Sequence, residues 1–260
     1  MAVKKSPLKQ FGQAFAGLFG RKTAANDSIL LVSFPKSGRT WLRVMLDAAK
    51  LDIDCTHDSS GHRGQRHFSE MEHDKSAYQD RRVVLLVRDP RDVVVSSYFH
   101  ATKRLGVFSG TISEFIRDPK HGIEKIIIFN SEWFSAAGVP REFFLVQYED
   151  MHDRLPEVLT QVIRFADPSL PIPDLAPIIE LGRFENMQEK EGSGELAKKY
   201  GGILKPGDAS DPESFKCRKG KVGGYDEYLS DEDIVYCDGV LGKYRYLDLL
   251  AETTARYGVR

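Results

Sequence analysis

The chain has 260 residues, with 37 Lys and Arg against 38 Asp and Glu, a formal net charge of −1. That balance speaks against a nucleic-acid partner, which needs a basic surface, while leaving room for a local basic cleft. The length suits one α/β domain with ample core, and no apolar stretch approaches the ~20 residues that span a bilayer. Cys55, Cys217 and Cys237 are odd in number and scattered. They fit reduced thiols in the cytoplasm, and neither a disulfide frame nor a zinc site.

Residues 1–25 stand apart as a basic, aromatic tail ahead of a domain over 26–260. Phe11, Phe15, Leu18 and Phe19 recur at helical spacing between Lys4, Lys5, Lys9 and the Arg21-Lys22 pair. Two readings stand: a disordered or loosely docked terminus, or a helix in weak contact with a membrane surface. The apolar part is short, broken by Gly and followed by basic residues, which is wrong for a secretory signal.

Ile29–Phe34 is a continuous apolar run, the mark of a strand buried on both faces. Ser33-Phe34-Pro35-Lys36-Ser37-Gly38-Arg39-Thr40-Trp41 closes it, and a helix is predicted from Trp41 to Ala49. Ile53–Thr56 predicts a short strand, and polar His57–Arg82 a loop with some helix. Val83–Val87 is the second clear strand, followed by Arg88-Asp89-Pro90-Arg91-Asp92-Val93-Val94-Val95-Ser96. There Asp89 suits an N-cap, Pro90 the first helical position, and Asp92 the closing acid of a capping box. Helix is predicted over Ile123–Ala137 and a third strand over Phe143–Val146, just before Tyr148-Glu149-Asp150-Met151.

Leu155, Val158, Leu159, Val162 and Ile163 repeat at helical spacing. Pro168, Pro171 and Pro173 punctuate a link to a helix over Ala176–Met187. Glu189–Lys216, rich in Gly, Lys and acids, predicts a mobile surface loop. Ser230-Asp231-Glu232-Asp233 caps a C-terminal helix, its acids placed where the helix dipole favours them. Strands alternating with helices predict a single α/β domain, a mainly parallel sheet with helices on both faces.

Each of the two strand–loop–helix junctions aims backbone N–H groups and a helix N-terminus at one point, and so suits an anion. The first adds Lys36, Ser37 and Thr40; the second adds Arg88 and, two turns into its helix, Ser96. Two cradles imply a ligand with anionic groups at both ends.

These residues resemble the nucleotide-binding motifs of sulfotransferases that use 3′-phosphoadenosine 5′-phosphosulfate (PAPS), in cytosolic-type domains with a P-loop-like core. The resemblance runs from about Ser28 to about Tyr246. It implies that Lys36, Ser37, Gly38, Arg39 and Thr40 hold the 5′-phosphosulfate, with Lys36 acting on the leaving group. Arg88 and Ser96, eight residues apart, then hold the 3′-phosphate. Trp41 and Tyr148 take positions of adenine contacts. Cys217-Arg218-Lys219-Gly220 and the residues to Tyr225 are similar to the family's late Arg-Lys-Gly segment, again a 3′-phosphate contact. PAPS is the implied co-substrate and 3′-phosphoadenosine 5′-phosphate (PAP) the product, with no metal.

The acceptor hydroxyl needs a general base, and His suits neutral pH. The family's Lys-Thr-His segment matches Cys55-Thr56-His57, with Cys55 in place of Lys. His57 lies 31 residues before Arg88, longer than the usual spacing, so His67 and His62 stay open as alternatives. Asp58 either orients the imidazole or simply makes a turn. Gly182-Arg183-Phe184 replaces the family's Thr-Ser-Phe, so that nucleotide contact is lost or supplied by Arg183. The C-terminal dimerisation motif is absent. The loop is not a Walker A sequence, since Lys36 precedes Gly38 with no early Gly; a P-loop-type kinase and an inactive PAP-binding regulator are the rival functions. The acceptor itself is unnamed by the sequence, its pocket falling to loops 58–80, 102–122 and 188–216.

Overall fold

Four strands, β1 (Ile29–Ser33), β2 (Ile53–Thr56), β3 (Arg82–Val87) and β4 (Glu142–Gln147), pair in parallel in the order β2-β1-β3-β4. They belong to a computed structural model that describes residues 28–201, 208 and 211–260. The basic, aromatic tail and its proposed membrane contact lie outside the described residues. Around the sheet run α1 (Arg39–Ala48), α2 (Pro90–Phe99), α3 (Ile112–Arg117), α4 (Ile123–Ser135), α5 (Tyr148–Asp153) and α6 (Leu155–Ala166). Then come α7 (Ala176–Leu181), α8 (Phe184–Gly192), α9 (Glu195–Tyr200), α10 (Asp231–Lys243) and α11 (Tyr246–Tyr257).

Alternate strand residues face opposite layers, as the two-residue period of a strand requires. Leu30, Val32, Val83, Leu85 and Leu145 pack against Val93 and Val94 of α2, Phe129 and Trp133 of α4, and Tyr246 of α11. Leu31, Val84, Leu86 and Val146 meet Leu42 and Met45 of α1, Val158 and Val162 of α6, and Ile178 of α7. Each such side chain contributes roughly 1.5–3 kcal/mol on burial. The continuous apolar runs thus mark strands covered on both faces, as expected.

Three local expectations are corrected. The helix predicted over Ala176–Met187 is two helices, broken at Gly182-Arg183. The Gly182 carbonyl accepts the Trp41 indole N–H at 2.6 Å, and a Cβ on Gly182 would lie 2.7 Å from the Met45 sulfur. The predicted loop from Glu189 holds the end of α8 and all of α9, because Leu196 is buried against Val44 and Met187. Asp92 closes no capping box. Asp89 caps α2 by accepting the Arg91 N–H at 2.8 Å, while the Asp92 carboxylate turns away to another loop.

Candidate active site

In parallel strands all carboxyl ends share one edge, and the order β2-β1-β3-β4 reverses between β1 and β3. Ligands of open α/β sheets sit in the crevice at that reversal. Here the loops after β1, β2, β3 and β4 meet the segment 216–221 around a cavity of about 900 Å³.

The loop after β1 is tightly wound, with Lys36 at φ 74° and Gly38 at φ 96°. A Cβ on Gly38 would stand 2.4 Å from the Tyr148 ring, so the chain passes there only as glycine. α1 starts without a side-chain cap, which leaves its leading N–H groups for an anion. Ser37 is buried, its hydroxyl unpartnered among the described residues. Lys36 points its Nζ at the Lys216 carbonyl, 3.4 Å away. Burial brings its pKa down to about 7, with the Lys216 and Arg104 cations adding.

His57 follows β2 directly. Its Nδ1 is 2.8 Å from the Ser33 carbonyl, which can only accept, so Nδ1 carries the proton and Nε2 the lone pair. Arg39 donates to that Nε2 at 2.7 Å. Burial, reinforced by Arg39, lowers the His57 pKa to about 3, so the ring is neutral. The Ser33 carbonyl, and not Asp58, orients the ring. Asp58 is buried elsewhere, accepting from Lys75 at 2.7 Å, the Tyr78 hydroxyl at 2.6 Å and the Trp133 indole at 3.1 Å. His67 does not line the cavity; its Nδ1 accepts the Ser69 N–H at 3.1 Å and caps a 3₁₀ turn.

At the other end Arg88 leaves β3 and lies 4.3 Å over the Tyr148 ring. It donates to the Lys221 carbonyl at 2.7 Å and pairs with Asp92 at 3.2 Å. Asp92 also accepts the Gly223 N–H at 2.9 Å and the Tyr225 N–H at 3.0 Å, tying the late loop to α2. Ser96 lines the cavity from the same helix. Arg218 donates to the Tyr228 hydroxyl at 2.6 Å and to Glu213 at 2.9 Å, with its Nε buried and unpartnered. Gly220, at φ 61°, lets the chain pass Phe184, whose ring a Cβ would meet at 2.7 Å. Lys219 pairs with Glu227 at the surface. The Cys217 thiol is pushed up to about 12 by burial; the residue is held through its backbone N–H, 2.9 Å from Glu191.

Between the two ends Trp41 and Tyr148 meet edge-on, centroids 5.6 Å apart at 66°. Arg183, beside them on the cavity wall, pairs its guanidinium with Glu180 at 2.9 Å. Of the residues singled out in the sequence, Lys36, Gly38, Arg39, Thr40, Trp41, His57, His62, Arg88, Ser96, Tyr148 and Cys217 to Gly220 line one cavity, whereas Ser37, Asp58 and His67 do not.

A sulfotransferase-domain family model matches residues 26–247. The chain belongs to the sulfotransferase family. It is similar to flavonol 3-sulfotransferase of Flaveria bidentis, 26% identical over 266 residues that cover 85% of this chain and 82% of that protein. Sulfotransferase 4A1 of Mus musculus is 33% identical over 105 residues, 39% of this chain and 37% of its own. Among solved structures, mouse sulfotransferase SULT7A1 complexed with PAP has a TM-score of 0.62 at 18% identity, with 85% of each chain covered. Retinol dehydratase with androsterone and the inactive cofactor PAP also has a TM-score of 0.62, at 17% identity over 84% of this chain and 80% of that one. These two likenesses are of fold.

Within this sulfotransferase, two buried acids have places that their sequence setting does not announce. Asp92 imitates a capping residue in the sequence and instead anchors the late loop. Glu191 sits in a stretch that reads as solvated charge, yet it is 1% exposed. It accepts the Lys216 N–H at 2.7 Å, the Cys217 N–H at 2.9 Å and an Arg104 N–H at 3.0 Å. No periodicity flags either one.

Proposed function

We propose that this sulfotransferase moves a sulfuryl group from PAPS to an acceptor hydroxyl and releases PAP. One observation carries the reading: the loops that follow β1 and β3 open into one cavity, with Trp41 and Tyr148 in contact on its wall. A nucleotide charged at both its 5′ and 3′ ends suits two basic helix N-termini that share a cavity with aromatic rings. The Lys36 end takes the phosphosulfate. Arg88, Ser96 and Arg218 take the 3′-phosphate, bidentate contact being the strength of guanidinium.

The acceptor oxygen bonds to sulfur as the bond from sulfur to the 5′-phosphate oxygen breaks. The acceptor proton passes to Nε2 of His57, and Lys36 meets the charge that collects on the leaving oxygen. Arg39 must leave Nε2 for this step, since the lone pair it occupies is the one that takes the proton. His57 is a base of this kind because Nδ1 is fixed by the Ser33 carbonyl. Three free thiols support a cytoplasmic setting.

Thermal unfolding with added nucleotides tests the reading. PAP at 100 times its dissociation constant should add about 2.7 kcal/mol of stability, and ATP or AMP far less. Transfer of label from PAPS should persist in EDTA, with positioning and fixed charge doing the work. Equal stabilisation by ATP together with a strict magnesium requirement would favour a kinase instead.

A further inference from the structure

Past His57 the cavity wall continues through His62, Arg63, His100 and Arg104. His62 opens a 3₁₀ turn after β2, and His100 begins a π-helical turn, His100–Leu105, that continues α2. Such π turns are rare and gather at functional sites. The two imidazole centroids are 6.1 Å apart. His62 is 3% exposed, and neither of its ring nitrogens has a hydrogen-bond partner among the described residues. Nδ1 of His100 is likewise buried without one. Phe34, Phe115 and His121 surround the His62 ring at 5.8, 6.5 and 5.6 Å, and none of them gives it a hydrogen bond.

Buried polar atoms are nearly always paired, so these unpaired nitrogens on a cavity wall point to a ligand. Burial holds both rings neutral, His62 well below its usual pKa and His100 down to about 2, with neighbouring cations adding. A neutral imidazole offers one N–H and one lone pair. A carboxylate or sulfate satisfies only the first, an ammonium only the second, and an aromatic ring neither. A hydroxyl donates and accepts, so hydroxyls can pair with both nitrogens of His62 and with Nδ1 of His100. His57 lines the same cavity as His62 and His100.

We propose that His62 and His100 bind hydroxyl groups neighbouring the one that is sulfated, so that the acceptor is a polyhydroxylated compound such as a sugar or cyclitol. A lone phenol or simple alcohol would leave the rings unpaired, and a site built to bind hydroxyls rejects an analogue that lacks them. The inference rests on the sulfotransferase reading given above.

Calorimetric titration of the PAP complex separates the two. Binding of PAP comes first, and its absence would overturn the sulfotransferase reading before any acceptor is added. Myo-inositol and methyl α-glucoside should then bind at least about tenfold tighter than cyclohexanol, hydroxyl selectivity of this kind being large. His62→Phe and His100→Phe should each remove that preference at unchanged PAP affinity, whereas His62→Asn, which keeps a donor and an acceptor, should retain part of it. Cyclohexanol binding as well as the polyols, no polyol binding at all, or a preference that survives both Phe variants overturns the proposal.

Discussion

Lys36 and His57 face each other's end of the reaction with unusual protonation. Lys36 titrates near 7 in the free protein, and a bound phosphosulfate raises that value by adding negative charge. Above pH 7, binding therefore takes up a proton, and PAP affinity should fall with rising pH, by up to about tenfold per unit above 8. Calorimetry in buffers of different ionisation enthalpy measures the uptake directly; buffer-independent heats at pH 8 would remove Lys36 from the anion site. His57, lowered to about 3, stays neutral across the working range, so it adds no acid limb to kcat/KM above about pH 4. We expect His57→Ala to bind PAP like the parent and lose about 10²–10⁴ in turnover. His67→Ala, altered at a side chain spent on a turn, should keep full turnover, and its inactivity would move the base to that residue.

At the scale of elements, α2 and the late loop act as one unit through Asp92. Asp92→Asn keeps one acceptor oxygen but drops the charge beside Arg88, leaving an N–H of Gly223 or Tyr225 short of its partner. Losing such a charged contact costs on the order of 1.5–3 kcal/mol, so PAP affinity should fall at least about tenfold while kcat changes less. An unchanged KM for PAPS would show that the loop holds its place without Asp92. Gly38→Ala drives a Cβ into the Tyr148 ring and should lower both stability and PAP binding. Most of this frame was legible in the chain itself. The apolar runs at Ile29 and Val83 marked buried strands, and the loops that follow them marked two of the segments that line the cavity. Asp92 and Glu191 were not legible, because what they bind lies 131 and 26 residues away, in loops without periodicity. The break at Gly182 was hidden for the same reason: Trp41 sets it from 141 residues upstream.

For the molecule as a whole, holding a cation in the cavity wall opposes stability. The Lys36 pKa in the fold lies below its unfolded value of 10.5, so the unfolded chain binds more protons between about 7 and 10.5. Its penalty is thus full below about pH 7 and fades as pH climbs through that window. Lys36→Met should raise the melting temperature at pH 7, by roughly 1 kcal/mol or more in stability, and abolish transfer; a Tm unchanged or lowered would contradict this. Parallel strands cannot be joined by tight hairpins, and the cavity adds long spans of its own. The Lys36 ammonium meets a carbonyl 180 residues on, and Arg88 one 133 residues on. Long spans close late in refolding. The strands and α4 therefore come together, burying Trp133, before residues 216–221 arrive to complete the cavity. During refolding of a Trp41→Phe variant, Trp133 fluorescence should reach its native value first and PAP capture should follow in a slower phase, so that a chain with its core already formed is for a time unable to hold its nucleotide.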